Sequence, residues 1–127
     1  AGEDEPAQEI ALISETINIL SSDKRNKMLI THYQFMASIL PSYVYSPSKT
    51  YTMDGISYPL KGNKYHNDYK KLFIDQIKNK KIAVIYLMKP IEESSITFVL
   101  DKSCIKLKKI NNILESYEIN ECKQLNN

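Results

Sequence analysis

The fold of this protein is decided by residues 81–88, which read KIAVIYLM. A short apolar run rich in β-branched residues, bounded by lysines and by Pro90, is typical of a strand that is buried on both faces. Residues 28–31, which read MLIT, are a second run of this kind. Because such strands occur in sheets that carry helices on each side, the two runs predict an α/β domain.

Two amphipathic segments supply the helices. Residues 9–21 repeat apolar positions every three or four residues, namely Ile10, Ile13, Ile17 and Leu20. Residues 65–77 do the same, with Tyr65, Tyr69, Leu72, Phe73 and Ile77. This is the spacing of one helix face, so both segments are predicted to be helices packed on the sheet. The acidic lead, residues 1–8, contains Asp4-Glu5-Pro6, which suits the first turn of the first helix.

The other segments carry weaker signals. Residues 35–40 are predicted as a short helix, residues 96–100 as a strand, residues 106–114 as a short helix or turn, and residues 116–122 as a last strand. Residues 41–63 are rich in Tyr, Pro, Ser and Thr. They are predicted as a long structured loop in which Asp54-Gly55 marks a hairpin turn.

The order of these elements predicts one small three-layer α/β domain, residues 9–127, with a mostly parallel open sheet and flanking helices. The chain has 127 residues, of which 43% are hydrophobic, and this is enough for one core but not for two domains. Its longest apolar runs are far shorter than the roughly 20 residues that a membrane-spanning helix requires.

The charges are distributed unevenly along the chain. Residues 1–23 carry six acidic residues and no base, whereas residues 24–127 hold all 17 bases against nine acids. Sixteen of the bases are Lys, and Arg25 is the one arginine. Lysine binds as a point charge and not as a bidentate fork, so specific nucleic-acid recognition is disfavoured. A basic face of the second helix, with Lys70, Lys71 and Lys78, is either an ordinary solvated surface or a contact for anionic lipid or nucleic acid.

The carboxyl end of the first strand is the candidate ligand site, because open α/β sheets bind ligands at this edge. His32, Tyr33 and Gln34 follow the strand directly. The tyrosine-rich loop adds Tyr45, Tyr51 and Tyr58 as candidate contacts for a carbohydrate or a peptide. The alternative roles are structural: His32 supports the turn, and the tyrosines fasten the loop to the sheet.

The sequence predicts no catalytic constellation, no metal site and no cofactor. The isolated glycines do not form a phosphate-binding loop, and two histidines and two cysteines at these spacings do not form a zinc site. Cys104 and Cys122 are 18 positions apart. From the residues alone, a disulfide and two free thiols are equally compatible with the pattern.

Several stretches in order resemble the extracytoplasmic carboxy-terminal region of polytopic bacterial membrane proteins similar to glycosyltransferases of the GT-C type. The stretches are MLITHYQF at 28–35, YSPS at 45–48, Asp54-Gly55, NKY at 63–65, KNKK at 78–81, the strand at 82–87, and the closing Cys104 and Cys122. The resemblance covers most of residues 9–125. In that family the catalytic acid belongs to loops between membrane helices, so the resemblance implies no catalytic residue here.

What the resemblance implies is a non-catalytic accessory domain that supports the membrane part of the same protein or binds the acceptor. It also implies a periplasmic location and, in that oxidising compartment, a Cys104–Cys122 disulfide. Two alternatives remain: a small α/β enzyme or ligand-binding protein with its site at His32, and a basic module that binds anionic membrane or nucleic acid. Free thiols and a cytoplasmic location would suit the alternatives.

Overall fold

A computed structural model describes residues 6–31, 50–54, 66–89 and 91–120. The helices are α1 (Pro6–Ser22), α2 (His66–Asn79) and the single turn α3 (Ser94–Thr97), and a 3-10 turn spans Lys102–Cys104. The strands are β1 (Lys27–Thr31), β2 (Thr50–Asp54), β3 (Val84–Met88), β4 (Ile105–Lys109) and β5 (Leu114–Ile119).

These strands form one five-stranded sheet in the order β2-β1-β3-β5-β4. Strand β1 pairs in parallel with β2 and with β3, whereas β5 pairs antiparallel with β3 and with β4. The small α/β domain is therefore confirmed. The sheet is mixed, with two parallel and two antiparallel pairings, so the mostly parallel sheet is not confirmed.

The side chains of β1 and β3 alternate between two cores, one on each face of the sheet. Helices cover both faces. Met28, Ile30, Ile85 and Leu87 pack in one core with Phe73 and Ile77 of α2 and with residues 91–100. Leu29, Val84 and Tyr86 point the other way and pack with Leu20 of α1. All ten residues of β1 and β3 are buried, as the apolar runs predict.

The predictions of α1 and α2 are confirmed, with one exception at the edge of each apolar face. Ile10 is 65% exposed and Leu72 is 52% exposed, so neither belongs to the buried face that the periodicity assigned to it. Helix α2 ends in a tight turn: the Ile82 N–H donates to the Ile77 carbonyl at 2.9 Å, and Lys81 has a φ of 52°. This left-handed conformation favours glycine, so the tertiary structure imposes it on Lys81.

The predicted strand at 96–100 is wrong. The segment begins with helix α3, and its hydrogen bonds continue in the helical pattern, from the Leu100 N–H to the Ile96 carbonyl at 2.9 Å. Ile96, Val99 and Leu100 are all buried. Their spacing of three and four residues is that of a helix face, and a five-residue apolar run is too short for its composition alone to separate the two structures.

For residues 106–114, the predicted short helix is wrong, and the alternative, a turn, is found only between the two strands that this segment contains. Residues 105–109 form β4, the edge strand of a hairpin with β5. The last predicted strand, residues 116–122, is confirmed over residues 116–119, which belong to β5. The turn between β4 and β5 is held by Asn111, whose side-chain oxygen accepts hydrogen bonds from the N–H groups of Ile113 and Leu114, both at 2.9 Å. An edge strand exposes most of its side chains, so β4 lacks the apolar run by which β1 and β3 are recognised.

The predicted loop at 41–63 contains a strand. Thr50–Asp54 pairs in parallel with β1, with Asp54 opposite Thr31. Threonine and tyrosine favour extended structure, and the neighbouring strand supplies the hydrogen bonds. The remainder of the loop, the second half of the hairpin signalled by Asp54-Gly55 and the short helix at 35–40 lie outside the described residues.

Candidate functional site

The carboxyl ends of β1 and β3 form a topological switch point. From β1 the chain continues to β2 on one side, and α2 then returns it to β3 on the other side. Open α/β sheets bind ligands at such a point. His32, Tyr33 and Gln34 follow Thr31 at this edge in the sequence, but they lie outside the described residues, as do Tyr45 and Tyr58. Tyr51 lies opposite Met28, three positions before the carboxyl end of β2.

The described residues at this edge include a buried carboxylate, that of Glu115. Glu115 lies opposite Leu87 at the start of β5 and is 8% exposed. The Tyr117 hydroxyl donates to Glu115 Oε1 at 3.2 Å, and Lys89 Nζ lies 3.9 Å from the same oxygen. Burial raises the pKa of Tyr117, and the charges of Glu115 and Glu93 add to the effect. This group can accept a hydrogen bond from a ligand hydroxyl.

A second polar cluster lies at the opposite edge, near the amino ends of β1 and β3. The Arg25 Nε donates to Asp23 Oδ1 at 3.0 Å, and Nη2 donates to Oδ2 at 2.9 Å. The Tyr86 hydroxyl donates to Asp23 Oδ2 at 2.6 Å, and Arg25 Nη1 donates to Glu118 Oε1 at 3.2 Å. The guanidinium is thereby fixed between the turn after α1 and strand β5.

The ionisation of this cluster follows from its contacts. Burial disfavours the Asp23 carboxylate, but the hydrogen bonds from Arg25 and Tyr86 outweigh burial and lower the pKa of Asp23 to about 2. The same hydrogen bond from Arg25 to Asp23 raises the pKa of Arg25. Burial, reinforced by the bond to Asp23, raises the pKa of Tyr86. At neutral pH the cluster is a charged pair with a neutral phenol.

Lys27 is completely buried at the start of β1. Its Nζ donates to the backbone carbonyls of Asp23 at 2.7 Å and of Arg25 at 3.3 Å. Burial lowers the pKa of Lys27. The amine holds the turn that carries Asp23 and Arg25, which is a supporting role and not contact with a ligand.

Next to this cluster lies an open groove of about 400 Å³. Its floor is the α1 side of β5, where Ser116 and Glu118 alternate with Tyr117, which faces the other core. Tyr86 and Arg25 form one wall, and the end of β4, with Lys108 and Lys109, forms the other. Ile19 and Ile110 complete the lining with apolar surface. We call this cavity the Arg25 groove.

The predicted basic face of α2 is only partly open to solvent. Lys71 is exposed, whereas Lys70 and Lys78 are half-buried. The structure adds a second group of lysines that the sequence analysis did not single out: Lys106, Lys108 and Lys109 are all exposed on β4.

Cys104 ends the 3-10 turn before β4 and is 1% exposed. Its sulfur is disulfide-bonded, and Cys122 lies outside the described residues. The Asn120 N–H donates to the Cys104 carbonyl at 2.7 Å.

Neither a metal site nor a membrane span is found in the part of the chain that the structure describes. No group of three or more His, Cys, Asp or Glu side chains there could hold a metal ion. No helix within the described ranges is long and apolar enough to cross a bilayer.

The Arg25 groove was not predicted from the sequence. One signal was present, because Arg25 is the single arginine among 17 bases. Asp23 follows the first predicted helix and Tyr86 lies in a predicted strand, and their contact spans 63 positions. Only the packing of α1 against β3 brings them together.

Comparison of the chain with protein-family models, with curated proteins and with solved structures finds no match.

Proposed function

We propose that this chain is a non-catalytic accessory domain of a membrane glycosyltransferase-like protein. It lies on the extracytoplasmic face of a bacterial membrane, where it supports the membrane part or binds the acceptor. The resemblance of the sequence to such carboxy-terminal regions motivates the proposal. The observation that carries the extracytoplasmic location is the bonded state and position of Cys104.

We pair Cys104 with Cys122. The backbone hydrogen bond from Asn120 to Cys104 brings the end of β5 beside the 3-10 turn, and Cys122 is two positions further along the chain. Two residues cover at most about 7 Å, so the half-cystines can meet at the Cα separation of a disulfide, about 4.4–6.8 Å. Structural disulfides persist in oxidising compartments such as the periplasm and are rare in the cytosol. The pair therefore supports the extracytoplasmic location.

The thiol state of the protein in its native cells tests this location. Cells are denatured in excess maleimide, which blocks free thiols, and are then reduced and treated with a maleimide of larger mass. We expect Cys104 and Cys122 to escape the first reagent and to react with the second. The Cys104→Ser variant is the control, because its unpaired Cys122 reacts with the first reagent. Modification of both wild-type cysteines before reduction would contradict the proposal.

The gene upstream of the codon for Ala1 tests the connection to a membrane protein. We expect it to encode several apolar stretches of about 20 residues, each able to span a bilayer. A start codon immediately before Ala1 would overturn the accessory-domain proposal, whatever the thiol state.

A start codon at that position would favour a stand-alone enzyme or ligand-binding protein with its site at the end of β1. The specific observation in favour of this candidate is the buried Glu115 carboxylate, hydrogen-bonded to Tyr117 at the same edge of the sheet that His32 follows. Glu115 provides a carboxylate, which the residues next to His32 in the sequence do not.

A further inference from the structure

The geometry points to the Arg25 groove as a binding site for a phosphate group carried by a sugar-sized molecule or a lipid headgroup. The groove lies on the α1 side of the sheet and runs from Arg25 and Glu118, near the amino edge, along β4 and β5 to Ile110. It is distinct from the switch point where His32 follows β1. This inference concerns the groove itself and holds whether or not the chain belongs to a membrane protein.

The size of the groove suits a small ligand. Its volume of about 400 Å³ lies within the range of about 300–1,000 Å³ that is usual for small-molecule sites. Glu118 and Lys108, on neighbouring strands of this face, are both exposed, which shows that the groove is open to solvent. Helix α1 packs over β1, β3 and Leu114 instead.

The charge of the groove selects an anion. Two cations, Arg25 and Lys108, line it together with one carboxylate, Glu118. A third cation, Lys106, lies opposite Glu118 on the same face of β4 and borders the groove. Even with Asp23, which lies behind the guanidinium, cations outnumber carboxylates. Among the ranges that the structure describes, no carboxylate lies within ion-pair distance of Lys106 or Lys108. Their charges are available to a ligand.

The held guanidinium makes phosphate the best match among anions. Three of the five N–H groups of Arg25 donate to Asp23 and Glu118, which fixes the plane of the fork and leaves two for a ligand. A fixed planar fork recognises phosphate oxygens in a bidentate manner, and a nearby lysine adds charge. Ser116 and Glu118 on the floor supply a hydroxyl and a carboxylate, which are partners for the hydroxyl groups of a sugar.

The test uses the 127-residue chain labelled with ¹⁵N at about 0.15 M ionic strength, where screening suppresses distant charges. The probes are glucose 1-phosphate, glucose, and phosphatidylcholine vesicles with and without phosphatidic acid. Amide shifts report binding of the sugars, and sedimentation reports binding to vesicles. The Lys106→Ser/Lys108→Ser double variant removes two charges from the groove and its border. Lys70→Ser/Lys71→Ser removes two charges from α2 and is the matched control.

We expect glucose 1-phosphate, but not glucose, to shift the amides of Tyr86, Ser116 and Glu118 in a saturable manner. The groove variant weakens this binding about tenfold, and the α2 variant leaves it unchanged. Binding to phosphatidic acid vesicles alone, with the same dependence on the groove lysines, assigns the phosphate to a lipid. The inference is overturned if no phosphate probe binds, if glucose binds equally well, or if the α2 variant weakens binding as much as the groove variant.

Discussion

Strands β3 and β4 belong to the same sheet, yet they are held in it by different forces. All five residues of β3 are buried, whereas the last four residues of β4 are exposed. Strand β3 lies at the centre and contributes side chains to both cores. Strand β4 lies at an edge and depends on its pairing with β5, and its lysines discourage pairing with another molecule. Apolar burial therefore stabilises the parallel half and β5, whereas β4 depends mainly on its pairing with β5.

The largest effect is expected from one substitution made in each strand. Leu87 is fully buried in the core with α2, whereas Leu107 on β4 is 47% exposed. We expect Leu87→Ala to lower the free energy of unfolding by about 3 kcal/mol, because it loses buried surface and leaves a cavity. Leu107→Ala should cost less than about 1 kcal/mol, because water already reaches this side chain.

Urea denaturation of both variants measures the difference. Equal losses would show that apolar packing stabilises β4 as much as β3, which would contradict the comparison.

A smaller effect is expected where the parallel half of the sheet is joined to the antiparallel half. Through Arg25 and Tyr86, Asp23 connects the turn after α1 with β5 and β3. We expect Asp23→Asn to lower the free energy of unfolding by about 2 kcal/mol at neutral pH, because it weakens hydrogen bonds that involve a charged group. The free energy of unfolding is obtained from urea titrations.

The same variant carries a pH signature. The pKa of Asp23 is lowered from 3.8 to about 2 in the folded protein, so the carboxylate stabilises the fold above its unfolded pKa. This stabilisation is lost as the pH falls from about 4 to about 2. The difference between wild type and Asp23→Asn should therefore shrink across this window. A difference that stays constant down to pH 2 would show that the charge of Asp23 does not contribute.

The smallest effect compares two buried tyrosine hydroxyls. The Tyr86 hydroxyl donates to Asp23 at 2.6 Å, and the Tyr117 hydroxyl donates to Glu115 at 3.2 Å. We expect Tyr86→Phe to cost about 1.5 kcal/mol, since a short bond to a charged acceptor contributes more than a long one. Tyr117→Phe should cost about 0.5 kcal/mol on the same grounds. Thermal unfolding of the two variants, which lose the same atom, ranks them, and the reverse order would contradict the role of the Asp23 cluster.

The elements that the sequence predicted correctly are those whose own residues supply the signal. Strands β1 and β3 are continuous apolar runs, and α1 and α2 repeat apolar positions along one face. The errors fall where burial is partial or the run is short. Residues 96–100 have the composition of a strand, but Ile96, Val99 and Leu100 are buried by a helical turn against the core. Strand β4 consists mostly of lysines that its place at the edge exposes.

The candidate sites divide in the same way. The carboxyl end of β1 could be proposed from the sequence because a ligand edge follows from the order of strands and helices. The Arg25 groove could not, because its walls come from α1, β3, β4 and β5, and no spacing along the chain relates them. Arg25 stood out by composition alone, and composition carries no information about its partners.

By itself, the sequence determined that the protein is a small α/β domain with two buried strands and two amphipathic helices, because hydrophobic periodicity is a local property. Only the tertiary structure decided the antiparallel half of the sheet, the helical turn at residues 94–97 and the contacts of Asp23 with Arg25, Tyr86 and the rest of its cluster. The physical reason is that edge strands and charge clusters gain their stability from partners many residues away, and these partners leave no periodic mark on the chain.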